Sequence, residues 1–347
     1  MDKKTNLRMN INWIGLNDAD RRTILEQTSV RTGYIVQAVE KDWWVTTVLE
    51  ALFSLPFANQ LSFKGGTSLS KCWGLINRFS EDIDIAVTRE HLGFTGALSK
   101  NQINDRVRRA LCTFVREELP ERVDNLLLSM GIPREWFRTE VITTPVSTVD
   151  PESIYIHFNS LFPAVEYMPA SVKIEVSGRS MTEPVESVAI KTLVAGQFPT
   201  APYADTIFSV TAVAAKRTFL EKAFLLHEVF HQQGAPPRVE RMSRHLYDLE
   251  KMMDTHVETE AFADIALYRD IVEHRRHYIG LNNFDYNTLW PATLSFLPPT
   301  EQAAAWETDY RSMQTNMIPG QSRPYAELIE RLTELNRRFT AVNIENE

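Results

Sequence analysis

Apolar residues at positions 35, 36, 39, 43, 44, 48, 49, 52 and 53 recur at the three- and four-residue spacing of a helix face. They predict one long helix over 34–55, closed by Pro56. A helix over 17–33 precedes it, opened by an Asn/Asp cap and ended near Gly33. The pattern then shortens. "QLSF" (60–63) reads as a strand, "TSLSKCWGLI" (67–76) as a helix entered through Gly65 and Gly66, and "IDIAV" (83–87) as a second, β-branched strand. Residues 99–130 return to helical spacing. "RTEVITTPVS", "SIYIHFN" and "ASVKIEVSG", between 138 and 178, alternate and predict three more strands. From 186 the chain reads as helical, over 186–196, 209–232, 238–254 and 258–272. Breaks fall at "FPTAPYADT" and "QQGAPPR", and two closing helices follow "LWPATLSFLPPTE". The expected organisation is therefore α/β (α+β). Residues 1–185 would form two helices and a sheet core, and residues 186–347 a mainly helical lobe.

Composition narrows the class. With 347 residues, 44% apolar content and seven tryptophans, the chain can bury one large core or two modest ones. No apolar run approaches the roughly 18 residues that span a bilayer, and the polar amino terminus has no secretory signal pattern, so no membrane partner is expected. Cys72 and Cys112 are too few for a disulfide framework, which makes the cytoplasm the expected compartment. The net charge of −8 argues against coating nucleic acid through the overall field. It leaves room for local basic clusters at Arg106–Arg116, Arg238–His245 and His274–His277.

The stretch "FKGGTSLSKCWGLINRFSEDIDI" (63–85) carries the chemistry. A glycine pair between strand and helix lets the backbone approach a ligand closely, and phosphate suits the free N–H groups that follow. Thr67 and Ser68 add hydroxyls, and Lys64 or Lys71 positive charge. Asp82 and Asp84, two apart on a strand, share one face about 7 Å apart along it, an arrangement suited to a divalent cation with nucleotide phosphates. The spacing fits neither a P-loop nor a dinucleotide fingerprint. The bland alternative is a glycine turn followed by a strand whose acids face solvent.

These residues resemble the glycine plus Asp-x-Asp signature of polymerase-β-type nucleotidyltransferases, although 15 residues between Gly66 and Asp82 make a longer spacing than is usual there. More closely, the stretch is similar to the AbiEii/AbiGii-type nucleotidyltransferase toxins. The resemblance extends to "AVEKDWWVTTVLEALF", "VKIEVSGRSMTEPVE", "RTFLEKAFLLHE" and "RMSRHLYDL", and more weakly to "DYRSMQTNMIPG". It implies a nucleotidyltransferase-like mixed sheet flanked by helices, with Mg²⁺ (or Mn²⁺) as cofactor and an NTP as substrate. It also implies an RNA acceptor such as a tRNA 3′ end, and a toxin of a toxin–antitoxin or phage-defence pair with a cognate antitoxin.

On this resemblance a third carboxylate is expected on a neighbouring strand, and "SVKIEVSGR" supplies Glu175 beside Lys173 on the face opposite Val172, Ile174 and Val176. Asp82, Asp84 and Glu175 would hold metal. Gly65, Gly66, Thr67, Ser68, Lys71, Lys173 and Arg179 would bind nucleotide, and Lys222 would neutralise charge on the departing phosphates. Asp248, sharing a helix face with Arg241, Arg244 and His245, is the family's last acidic position and would act in catalysis or orient the arginines. Lys41 and Asp42 belong to the family pattern, with no physical role apparent beyond structural pairing.

Residues 227–231, "HEVFH", also fit the H-E-x-x-H signature, in which His227 and His231 would hold zinc and Glu228 would act as base. That metalloprotease reading, and an inactive nucleotide-binding module, stand as alternatives. The zinc reading leaves the glycines and the 82/84/175 acids unexplained.

Overall fold

The computed structural model describes residues 11–96, 98–99, 101–143, 153–204, 207–234 and 238–344, apart from the side chains of residues 11 and 104. It forms two compact units. One runs to Cys72 and resumes from Phe79 to Val213, and the other takes Trp73–Arg78 and the chain from Ala214.

The first unit opens with α1 (Ile11–Ile14), α2 (Asp18–Thr32) and α3 (Val36–Phe53). Asn17 caps α2 by accepting from the Asp20 N–H at 2.9 Å. Gly33 ends it at φ +76°, a conformation that costs a side-chain-bearing residue energy. Strand β1 (Leu61–Lys64) leads into the short α4 (Gly65–Lys71), and β2 (Ile83–Val87) returns antiparallel to β1. After a helical stretch that includes α5 (Arg108–Thr113) and α6 (Leu119–Ser129) come β3 (Phe137–Ile142), β4 (Ser153–Phe158), β5 (Ser171–Ser177) and β6 (Val185–Ile190). The unit closes with α7 (Leu193–Gln197) and β7 (Phe208–Val213).

The seven strands form one mixed sheet in the order β3-β4-β5-β2-β1-β7-β6, with β2/β5 and β1/β7 parallel and the other pairs antiparallel. One face is apolar. Ile83, Ile85, Ile154, Ile156, Val172, Ile174 and Val176 are buried, α3 packs on β5 and β7, and α6 packs on α3 and β3. Each such side chain contributes about 1.5–3 kcal/mol of burial. Alternation sends Asp84, Lys173, Glu175, Tyr155 and His157 to the opposite, half-exposed face.

The second unit is helical: α8 (Ala215–His231), α9 (Ser243–Met252), α10 (His256–Ala263), α11 (Ile265–His274), α12 (Ala303–Met317) and α13 (Tyr325–Thr340). Among the described residues no helix is long and apolar enough to cross a membrane.

The mixed sheet with a helical second unit agrees with the expected class. Four local expectations are corrected. Residues 185–190 and 208–213 are strands rather than parts of helices, so the units divide at Val213/Ala214 and not near 186. The helix expected over 67–76 is α4, which starts at Gly65 and stops at Lys71. The helix expected over 238–254 starts only at Ser243, because Arg241 stands at φ +60° with its N–H donated to Asp309. The 258–272 helix is broken at Asp264, which caps the Leu267 N–H at 3.0 Å. Residues 144–147 of the first expected strand in 138–178, and parts of the two breaks (205–206 and 235–237), lie outside the described residues.

Candidate active site

The site is built on the register of three neighbouring strands. Lys64 of β1 pairs with Asp84 of β2, and Asp84 pairs with Glu175 of β5. Residues directly opposite on adjacent strands point to the same face, so a lysine and two carboxylates form a row across the sheet. Asp82 precedes β2 by one residue. Its charge, with that of Glu175, acts on Lys173, so the three acids and two lysines occupy one patch.

Burial alone pushes the Glu175 carboxyl up. The hydrogen bond and charge of Lys173, a hydrogen bond shared with Asp84, and the charge of Lys64 more than offset it, so the group is held below the usual carboxylate range. Lys173, paired with Glu175, is pushed above its usual value despite a burial effect of opposite sign. Two carboxyl groups in hydrogen-bond contact repel when both are ionised, so a proton or a cation between them is favoured. Side chains of Glu175 and Lys173 are 44% and 29% exposed, open enough for a ligand to reach.

Gly65 serves the acids directly. At φ +79°, a Cβ on it would stand 2.1 Å from Asp84 Oδ2 and 2.9 Å from Asp84 Cγ. The absent side chain is the space the Asp84 carboxylate occupies. Thr67 has a second positioning task. Its buried hydroxyl donates to the Asp82 carbonyl at 2.6 Å and lies 2.9 Å from Ser80 Oγ, so α4 grips the turn that delivers Asp82. The Ser68 hydroxyl is buried beside the glycine turn and acts on the Cys72 thiol, which burial pushes up to about 12 against the lowering effect of Ser68. Gly66 is half-exposed at the same turn, and Arg179 lies half-buried two residues beyond β5.

Lys71 does not join this patch. Its ammonium is 7% exposed and closed on Asp42, and Asp42 also accepts the Leu193 N–H at 2.7 Å. The neighbouring Lys41 holds Glu81 at 2.6 Å and the Pro169 carbonyl at 3.0 Å, with both charged groups about 5% exposed or less. The "EKDWW" stretch of α3 thus grips the glycine–aspartate motif at both ends, through Lys71 and Glu81. This gives Lys41 and Asp42 the role that sequence reasoning left open, and it corrects the nucleotide-binding expectation for Lys71.

In the helical unit, Asp248 is fully buried and accepts from Arg78 Nε at 2.7 Å, Arg78 Nη2 at 2.8 Å and Lys222 Nζ at 2.9 Å. Burial would raise the Asp248 carboxyl, yet the two cations force it far below its usual range. Burial and the Arg78 charge lower Lys222, whose ammonium lies 3.2 Å from His245 Nδ1. Burial and the charges of Lys222 and Arg244 keep His245 neutral. Arg78 carries half of this cluster and was missed, because a lone arginine 170 residues from its partner leaves no spacing signal.

The histidine motif is structural. His227 uses Nδ1 at 2.9 Å from the Ser295 backbone and Nε2 at 2.9 Å from Thr288 Oγ1, and Glu228 is locked against Arg275 by two hydrogen bonds. Burial, with His231 beside it, lowers His227 to about 4. With both ring nitrogens engaged and the would-be base ion-paired, the zinc arrangement is not formed. Among the described residues no three His, Cys, Asp or Glu side chains gather as a ready-made metal site. In the sheet patch the Glu175 carboxylate is turned onto Lys173.

The sequence from 47 to 332 matches the family model for the nucleotidyl transferase AbiEii toxin of type IV toxin–antitoxin systems. The chain belongs to this family. The AbiEii match covers both units and every acid and lysine discussed above except Lys41 and Asp42, and it makes the chain a nucleotidyltransferase of a toxin–antitoxin family. Among solved structures, the chain is similar to MenT4, a nucleotidyltransferase toxin from Mycobacterium tuberculosis H37Rv (19% identity, TM-score 0.43, 94% of this chain and 99% of that one). It is also similar to JHP933 from Helicobacter pylori (15%, 0.42, 88% and 92%) and to a putative nucleotidyltransferase from H. pylori (14%, 0.43, 88% and 95%). None of the curated proteins matches it.

Proposed function

We propose that this AbiEii-family chain moves a nucleotide from an NTP to the 3′ hydroxyl of an RNA, with tRNA as the foremost acceptor, in a reaction that needs Mg²⁺ or Mn²⁺. The observation that carries the reading is the Asp84/Glu175 register pair, with the Gly65 Cα face pressed against Asp84. The donor set fits a hard divalent cation. Asp82, Asp84 and Glu175 offer carboxylate oxygens from one sheet face, two of them in hydrogen-bond contact. Bound there, the ion would supply charge neutralisation to the phosphates.

The chain's own residues do the rest. Gly65, Gly66 and the Ser68 position at the start of α4 receive the triphosphate beside β1, and Lys64, Lys173 and Arg179 add positive charge. Glu175, held ionised by Lys173, accepts the proton of the attacking hydroxyl as that oxygen bonds to the α-phosphorus and pyrophosphate leaves. In the helical unit Asp248 acts as a positioning residue that holds the buried Arg78 and Lys222 cations. A cognate antitoxin would oppose the activity in the cell, with the cytoplasm as the expected compartment.

The test is transfer of α-labelled NTP to total tRNA by the purified protein with Mg²⁺. Label should appear on RNA with an intact 3′ end and should vanish when the terminal ribose is oxidised by periodate. Label on oxidised RNA, or none on either, would refute the reading.

A further inference from the structure

The polar face of the sheet continues past the carboxylates. On β4, Ser153 pairs with Glu175, Tyr155 with Lys173, and His157 with Ser171, so Tyr155 and His157 stand on the same face as the acids. Their rings are stacked, with centroids 6.0 Å apart and planes 20° from parallel. His157 is held from the far side by Glu140 of β3 at 2.7 Å, and its side chain remains 29% exposed. The adjacent Arg138 side chain is 66% exposed.

We infer that Tyr155 and His157 form a stacking platform for an unpaired base near the 3′ end of the acceptor strand. This rests on the nucleotidyl-transfer reading above. Three observations select that occupant. The glycine turn and the Ser68 hydroxyl lie on the β1 side of the Asp84/Glu175 pair, whereas Tyr155 lies on the β4 side, so nucleotide and acceptor approach the acids from opposite edges. Strands are about 4.8 Å apart, so two spacings separate Tyr155 from the end of β2 by about 10 Å. That is about three base rises of roughly 3.4 Å, and the platform therefore meets one of the last three bases of a strand whose terminal hydroxyl sits at the acids. Lys173, paired with Glu175, and Arg138, paired with Glu140 at 3.2 Å, flank the rings, and the Arg138 side chain is open enough to turn to a strand's phosphate. Aromatic side chains on an open sheet face are a recurrent means of holding splayed single-stranded bases.

The test uses the full-length protein and a short RNA with 2-aminopurine as the third base from its 3′ end, whose fluorescence falls on stacking. Wild type should quench the probe. Tyr155→Ala and Tyr155→Leu should bind it roughly tenfold or more weakly without quenching, and Tyr155→Phe should stay within about twofold of wild type. In turnover assays Tyr155→Leu should raise the KM for RNA while the KM for NTP holds. Binding by Tyr155→Leu within about twofold of wild type would overturn the inference. So would quenching of 2-aminopurine ribonucleoside triphosphate alone, lost in Tyr155→Leu, because the nucleotide would then own the platform. Quenching of the RNA probe by a protein that transfers no label would uphold the platform and sink the transfer reading instead.

Discussion

Replacing Gly65 by alanine tests how the motif works, because two separable costs fall on one residue. The first is backbone strain. At φ +79° an L-residue pays about 1–2 kcal/mol. The second is collision, since the new Cβ would stand 2.1 Å from Asp84 Oδ2 and 2.9 Å from Asp84 Cγ, so the carboxylate must withdraw by about 1 Å to reach ordinary contact. Crowding of this kind costs about 1–3 kcal/mol, and the sum is about 2–5 kcal/mol of stability. A misplacement of about 1 Å at a reacting centre lowers activity about 100-fold. Gly93→Ala is the control, with φ +84° but nothing within 4 Å of its built Cβ, so it should show only the strain and keep full activity. In Gly65→Ala/Asp84→Ala the two closest atoms are gone and the Asp84 Cβ, 3.2 Å away, is the nearest one left against the new methyl group. Denaturant unfolding of the four-member cycle should therefore give a coupling of about 1–3 kcal/mol. Additivity within about 0.5 kcal/mol would show that Gly65 is not reserved for Asp84.

Three other outcomes follow from buried charges. Lys41→Met strands Glu81 and should cost about 3–5 kcal/mol in denaturant unfolding, whereas Lys41→Met/Glu81→Leu should recover most of it; a double mutant as weak as the single would contradict the pairing. Asp248→Asn leaves Arg78 and Lys222 buried against a neutral amide and should cost a similar amount, more than Lys222→Met, which leaves the Arg78–Asp248 pair intact. The His227 pKa of about 4 in the folded chain lies below its ordinary value of about 6.5, so the unfolded chain takes up the proton first as pH falls. Its contribution is complete above about pH 6.5 and lost by about pH 4, about 3 kcal/mol in all. His227→Gln should flatten the decline of the unfolding midpoint over that window, and an unchanged slope would count against a buried neutral imidazole.

The alternation of "IDIAV" and "SVKIEVSG" was enough to set Asp84 apart from Ile83 and Ile85, and Glu175 apart from Ile174 and Val176, because strand periodicity is local; that Asp84 and Glu175 stand side by side came only with the register. Strands β6 and β7 were hidden for the opposite reason. "FSVTAVAAKRTFLEKAF" passes from strand to helix without a glycine or proline, and its first half is extended because it pairs with β1 and β6, contacts far off in sequence. The same limit applies to Lys71 and Thr67. Both read as phosphate ligands within their own motif, but Lys71 is claimed by Asp42 and Thr67 by the Asp82 carbonyl, partners that only the fold supplies. "HEVFH" shows the converse, a motif with correct spacing whose ring nitrogens are spent on Ser295 and Thr288. Tyr155 and His157 were readable as the polar-side residues of "SIYIHF", yet their neighbours on β5 and β3 became visible only through the register.

The most direct test of the account compares wild type with Asp84→Asn, which keeps the shape of the side chain and removes its charge. Each labelled NTP is supplied in turn with Mg²⁺ and total tRNA, and label on RNA and released pyrophosphate are counted together. Wild type should produce both in equal amounts with at least one NTP, and Asp84→Asn should lower both about 100-fold or more with its unfolding midpoint nearly unchanged. Equal transfer by the two proteins would contradict the central claim that the Asp84/Glu175 pair is the reacting centre.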